Sequence, residues 1–255
     1  MDFAVTLKTI GVIPARLASS RLPRKLLLDT TGQPLVQYVW QTAKNCAALD
    51  DVIVATDSQE IADAVTTFGG RAELTGEHPS GTDRVAEVVR RCCSDADIIV
   101  NLQGDEPELE GETISALVEA IQTTHAEMAT VAAPMTDATA IASPDCVKVV
   151  VNDLGQAMYF SRSVIPFCRD DSVANTLTAQ ANSPWKLHVG LYAYRSDFLL
   201  KLTSMPTSSL EDLEKLEQLR ALQSGATIQV TTVAQAAIGI DTPSDYAAFV
   251  KRQMQ

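Results

Sequence analysis

Between residue 9 and about residue 133 the chain alternates short apolar runs with amphipathic stretches. That alternation restricts the fold more than any other feature. The runs are Ile10-Gly11-Val12-Ile13, Val52-Ile53-Val54-Ala55-Thr56 and Ile98-Ile99-Val100-Asn101-Leu102. A strand that is apolar at nearly every position has no solvent face, so it belongs in a parallel sheet covered by helices on both sides. The stretches between supply those helices. Residues 35–45 place Leu35, Val39 and Ala43 on one helical face. Ser58 caps a helix running to about Phe68, Gly69-Gly70 stops it, and a further helix runs through Cys93. The expected fold is a Rossmann-like, doubly wound α/β sheet.

After Pro134 the rhythm changes. Residues 147–151, 157–160 and 187–194 read as strands without regular helices between them, and 169–186 as an exposed irregular loop. A helix is expected over 209–224, a strand near 227–233 and a last helix from about Pro243. No Pro/Gly/Ser-rich linker divides the chain, so residues 1–255 read as a single domain with a β-rich insertion at about 135–208.

Charge and cysteine usage narrow the class. A net charge of −12 argues against a nucleic-acid surface, which needs an excess of Lys and Arg. The five cysteines (Cys46, Cys92, Cys93, Cys146, Cys168) form no C-x-x-C pair, and their odd number argues for reduced thiols in a cytoplasmic setting. The sequence predicts no signal peptide and no membrane span.

Within this acidic chain, the loop after the first strand is cationic, carrying Arg16, Arg21, Arg24 and Lys25. It is either a solvated basic loop or a phosphate-binding loop at the carboxyl end of a buried strand. The dinucleotide fingerprint G-x-G-x-x-G and the P-loop pattern are both absent there. Asp105 follows the fourth apolar strand in Gly104-Asp105-Glu106, and Asp241 stands before the last helix in Asp241-Thr242-Pro243. Each is either a turn or helix cap, or a Mg²⁺ ligand; together with the cationic loop they suit phosphoryl chemistry. At helical spacing Glu217 falls on the face of Leu210 and Leu213, where it needs either Arg220 or a ligand hydroxyl as partner. His188 and Tyr192 share one face of a strand, as a half-exposed sheet face or a binding face. His78 and His125 have no neighbours at transition-metal ligand spacing.

The chain resembles the CMP-sugar synthetases, and among them most closely the 3-deoxy-manno-octulosonate (Kdo) cytidylyltransferases. The resemblance rests on Ile13-Pro14-Ala15-Arg16 with Arg21-Leu22-Pro23, Ala55-Thr56-Asp57, and Ser80-Gly81-Thr82-Asp83-Arg84. It extends through Asn101-Leu102-Gln103-Gly104-Asp105-Glu106-Pro107, Tyr159-Phe160-Ser161-Arg162 and His188-Val189-Gly190-Leu191-Tyr192. It closes on Leu216-Glu217-Gln218-Leu219-Arg220 and Asp241-Thr242-Pro243. It implies a nucleotidyltransferase-type mixed sheet whose β-rich insertion serves sugar binding and dimerisation. It also implies transfer of CMP from CTP to the anomeric hydroxyl of Kdo, for lipopolysaccharide synthesis. Arg16, Lys25 and Asp105 would be catalytic. Ala15, Arg16, Arg21, Lys25, Ser80, Gly81, Arg84 and Gln103 would bind the nucleotide, and Gln103, Arg162, His188, Tyr192 and Glu217 the sugar acid. Asp105 and Asp241 would hold Mg²⁺, in a cytoplasmic homodimer that binds neither nucleic acid nor membrane.

The chain departs from the family at Arg24, where the usual loop carries glycine. Glycine permits a positive φ or a close approach, so the loop either takes a conformation arginine tolerates or gains a phosphate contact from it. Two neighbouring substrates, 8-amino-Kdo and a sialic-type acid, stay open, as does a non-catalytic nucleotide sensor on the same fold.

Overall fold

Strand β1 (Thr9–Ala15) contains the run Ile10–Ile13 and is buried along nearly its whole length. It pairs in parallel with β2 (Asp51–Thr56) on one side and β4 (Ile98–Asn101) on the other; β2 pairs in parallel with β3 (Arg71–Leu74). The computed structural model describes residues 7–179 and 182–254. By Cα packing these fall into two compact units. One takes the chain through Val118 with Ala193–Thr203 and the segment from Ala237; the other takes Glu119–Tyr192 with Ser204–Ala236.

The first unit realises the alternation read from the sequence. Its strand order 3-2-1-4 reverses direction between β1 and β4, so the loops leaving those strands diverge and open a crevice at their carboxyl ends. Helix α1 (Leu35–Asn45) buries Leu35, Val36, Val39 and Ala43. Helix α2 (Gln59–Thr67) starts at Ser58, whose Oγ accepts from the Ile61 amide at 3.4 Å, so the expected cap is in place. Helix α3 (Gly81–Cys92) follows, then α4 (Gly111–Gln122). The last helix, α10 (Pro243–Gln253), opens with a reciprocal cap between Thr242 and Asp245. Its Phe249 joins Ile240, Leu22 and Leu35 in one apolar cluster, which pins the cationic loop against the chain's last segment.

The second unit pairs β5 (Met128–Pro134) in parallel with β9 (Ile228–Thr232). It also pairs β6 (Lys148–Val151) antiparallel with β7 (Ala157–Ser161) and with the start of β8 (Lys186–Arg195). The β-rich character expected after residue 134 is present, with a short helix α5 (Ala138–Ala142) before β6 and α7 (Ser196–Ser204) directly after β8. Two expectations fail here. The irregular stretch 169–186 contains a helix, α6 (Val173–Ala179), although its residues 180–181 lie outside the described residues. The helix expected over 209–224 is broken into α8 (Ser209–Glu214) and α9 (Gln218–Gln223) at Lys215, which takes a left-handed conformation with φ of 54°.

The break has a physical reason. Arg220 donates from Nε and Nη2 to Glu211, at 2.7 and 2.5 Å, and Glu211 is buried. Residues nine apart face opposite sides of a straight helix, so only a bent segment lets these two meet. The bend also undoes the wheel on which Glu217 was placed: Glu217 is exposed, and so is Leu213 at 80%. Burial pushes the Glu211 carboxyl up, but Arg220 and the Ser208 amide outweigh it and hold it below the ordinary carboxylate value. A lowered value means that this stabilisation is complete above the unfolded pKa and is lost as pH falls through the folded one. Glu211→Gln is expected to cost about 3 kcal/mol, because it leaves a half-buried guanidinium without its partner. Urea denaturation measures it, and a loss below about 0.5 kcal/mol would show the pair to be dispensable.

Candidate active site

Beyond β1 the chain leaves the sheet at Ala15, which is buried, and Arg16, which is exposed. The loop returns at Lys25, the first residue of a single 3-10 turn (Lys25–Leu27) that buries Leu26. Arg24, just before it, sits in the left-handed region with φ of 57°. The conformation is therefore the one glycine favours, and arginine adopts it at a cost of about 1 kcal/mol. Its guanidinium pairs with Glu60 on α2. Arg24→Gly is accordingly expected to leave KM for CTP within about twofold, since an exposed pair contributes little. A tenfold rise would place Arg24 on the nucleotide instead.

Lys25 is the hub. Its ammonium donates to Asp105 Oδ2 at 2.5 Å and to Asp241 Oδ1 at 2.9 Å, while Arg21 reaches Asp241 Oδ2 at 2.9 Å. Burial pulls the Lys25 pKa down, but the two carboxylates outweigh it and hold it above the ordinary lysine value. Asp105 is placed by the loop after β4. A Cβ on Gly104 would lie 3.3 Å from Ile13 Cγ2 and 3.4 Å from Leu26 Cδ2, so the tight passage there suits glycine. The carbonyl of Asp105 accepts from the Ile240 amide at 2.9 Å, which sets the two aspartate-bearing segments side by side. The cap of α10 is Thr242, so Asp241 is not spent as a helix cap.

Asp105 Oδ2 and Asp241 Oδ1 lie within 2.9 Å of a single nitrogen, close enough to serve one divalent ion together. Mg²⁺ takes one or two carboxylates and completes its shell with water and phosphate oxygens, and this donor set fits it. Among the described residues no group of three or more His, Cys, Asp or Glu could hold a metal by themselves. The sequence did not single out Glu106. Burial, and secondarily the charge of Asp105, push its carboxyl up to about 8, and its Oε2 is buried without a hydrogen-bond partner.

At the start of α3, Ser80 Oγ accepts from the Asp83 amide at 3.1 Å and donates to Asp83 Oδ2 at 2.9 Å, so its side chain serves as a helix cap. A Cβ on Gly81 would come within 3.3 Å of Pro14 Cγ, which brings this turn against the end of β1. Arg84 is buried, with Nη2 donating to Asp57 Oδ2 at 2.5 Å. Gln103 is half-buried on the loop between β4 and Asp105.

The second unit gathers another set. His188 and Tyr192 lie on one face of β8 with ring centroids 5.4 Å apart, as their spacing requires, and His188 stands edge-on to Phe160 at 4.8 Å. Burial pulls the His188 pKa down to about 3, so the ring is neutral at physiological pH. Arg162 is held at its backbone and Nε by Glu214, through Oε2 at 2.9 Å and the carbonyl at 2.7 Å. Beneath it the buried Lys148 donates to the carbonyls of Ser143, Cys146 and Arg162. Sequence reasoning missed both Glu214 and Lys148. A lysine inside the run Val147-Lys148-Val149-Val150 was the available signal.

Against known proteins, residues 10–228 match the cytidylyltransferase family. A 3-deoxy-manno-octulosonate cytidylyltransferase of Rhodopirellula baltica is 44% identical, over 96% of this chain and 98% of its own length. One of Syntrophobacter fumaroxidans is 46% identical, over 96% of both chains. Among solved structures, a CMP:2-keto-3-deoxy-manno-octonic acid synthetase complexed with CTP aligns with a TM-score of 0.89 at 40% identity, covering 97% of this chain and 99% of that one. A 4-diphosphocytidyl-2C-methyl-D-erythritol synthase from Anaerococcus prevotii, at 12% identity and a TM-score of 0.65, shares the fold. The fold is thus of the nucleotidyltransferase type, and the chain belongs to the 3-deoxy-manno-octulosonate cytidylyltransferase family.

Proposed function

We propose that the protein transfers CMP from CTP to the anomeric hydroxyl of Kdo and releases pyrophosphate, supplying CMP-Kdo for lipopolysaccharide synthesis. The observation that carries the reading is the convergence of Lys25 and Arg21 with Asp105 and Asp241 at the switch point of the parallel sheet. In this reaction the hydroxyl oxygen forms a bond to the α-phosphorus, the bond to the bridging oxygen of pyrophosphate breaks, and the hydroxyl proton passes to solvent. Such transfers are driven chiefly by positioning and charge stabilisation. Arg16, Arg21 and Lys25 would hold the triphosphate, with Lys25 offsetting charge on the α-phosphate and leaving group. Ala15, Ser80, Gly81, Arg84 and Gln103 would line the nucleotide site. Because Ser80 and Arg84 already use their side-chain groups within the fold, their part there is to shape the turn.

Asp105 and Asp241 would hold Mg²⁺, which supplies Lewis-acid neutralisation of phosphate charge when bound. Gln103, Arg162, His188, Tyr192 and Glu217 would bind the sugar acid. The neutral His188 suits a hydrogen bond to a hydroxyl rather than an ion pair to the carboxylate, a task better matched to Arg162. A homodimer belongs to the same proposal, supported by the exposed Leu154 and Met158 at the β6–β7 hairpin. So does a cytoplasmic setting, supported by five free cysteines.

Pyrophosphate release with CTP and Mg²⁺, read against Kdo, 8-amino-Kdo and sialic acids, tests the reading. The expected result is release with Kdo that stops when EDTA removes the metal. Release confined to another acid would reassign the substrate. Absence of release with every acid, despite CTP binding, would favour a nucleotide sensor.

A further inference from the structure

One face of α3 is tied to the chain that precedes it in a way the catalytic reading does not use. Arg84, Glu87 and Arg91 stand at i, i+3 and i+7, in line along the helix. Each reaches back to the end of β3 or to the loop that follows it. Arg91 Nη1 donates to the carbonyl of Leu74 at 2.7 Å, and Arg84 Nη1 donates to Thr75 Oγ1 at 2.5 Å. Between them, Glu87 Oε2 accepts from the Gly76 amide at 3.0 Å and contacts His78 Nε2 at 2.6 Å, while Glu87 Oε1 accepts from Arg91 at 2.7 Å. Residues 75–80 have no regular structure of their own, so these side chains fix the path of a loop that leads directly into Ser80 and Gly81.

The geometry points to Glu87 as a positioning residue for nucleotide binding: with His78 it holds the 76–79 loop so that Ser80 and Gly81 are already in place before CTP arrives. This rests on the reading of the Ser80–Gly81 turn as part of the nucleotide site. The chemistry suits a permanent strap. The hydrogen bond from His78 in the first place, helped by Arg91 and the Gly76 amide and opposed by burial, holds the Glu87 carboxyl down at about 2. It therefore stays ionised, and an accepting carboxylate stays available to all three donors. A loop pre-set in this way lowers the ordering cost of binding, and such a gain appears in ground-state affinity rather than in the chemical step.

The test combines steady-state kinetics with amide exchange on the full chain. Glu87→Gln and His78→Gln are each expected to raise KM for CTP about tenfold and leave kcat within about twofold. The double variant should be no worse than the poorer single one, because both remove the same strap. Thermal midpoints close to wild type will separate this from general loosening of α3. In the wild-type protein, CTP should slow exchange of the 80–83 amides. If it does not, the nucleotide reading of this turn is overturned and the proposal with it. If CTP protects those amides but both single variants keep the wild-type KM, the proposal alone is overturned. A fall in kcat and thermal midpoint at unchanged KM overturns it too, since that is the signature of a purely structural pair.

Discussion

Asp105→Asn is expected to lower kcat for pyrophosphate release by about three orders of magnitude while the protein stays folded. The amide keeps the size of the carboxylate and one acceptor oxygen but loses the charge that would attract a divalent cation. It also weakens the bond to Lys25, at present 2.5 Å long. Stability should change little. The aspartate is only partly buried, and its backbone bond to Ile240 does not involve the side chain. Raising Mg²⁺ should recover part of the lost activity, because the second proposed ligand, Asp241, is unchanged. Turnover within tenfold of wild type at low Mg²⁺ would remove Asp105 from the metal site.

Lys25→Met should abolish activity to a similar extent, about a hundredfold to a thousandfold, but with a second consequence that Asp105→Asn lacks. The lysine now separates two carboxylates, and without it they face each other with Arg21 still paired to Asp241. Their repulsion should then lower stability near neutrality by about 1–2 kcal/mol, moderated because Asp241 is half exposed. Mg²⁺ alone should restore that loss, since the competing ammonium is gone. Its thermal shift should therefore exceed the wild-type shift. An equal or smaller shift would mean that Lys25 and the metal do not share the carboxylates.

The parallel strands of the first unit were legible because burial on both faces leaves short continuous apolar runs, as at Val52–Val54 and Ile98–Val100, too short for helices and set between amphipathic stretches. The hub was legible as a set of charges but not as a geometry. Nothing local to Asp241 distinguishes it from a cap; Thr242 settles the matter only through the hydrogen bond it receives from Asp245. Helical periodicity failed at Lys215 because a left-handed lysine carries no compositional warning, unlike glycine. The same blind spot hid the backbone of Arg24, where only comparison with a glycine-bearing family pattern raised the question. Lys148 and Glu214 were missed for a different reason. Their partners are carbonyls, a backbone amide and the Ser161 hydroxyl, which periodicity does not register.

Lys25 and Asp241, hydrogen-bonded at the hub, are separated by 216 residues along the chain. A ribosome delivers the two ends of that contact far apart in time, and domains fold from the amino-terminal side as they emerge. Strands β1 to β4, with Lys25 and Asp105, can assemble early; the segment from Ile240 to Phe249 has to arrive before the second carboxylate is present. A chain that has emerged only through β4 would therefore hold Lys25 and Asp105 without the second carboxylate of the hub. The second carboxylate of the hub comes from the segment that leads into α10.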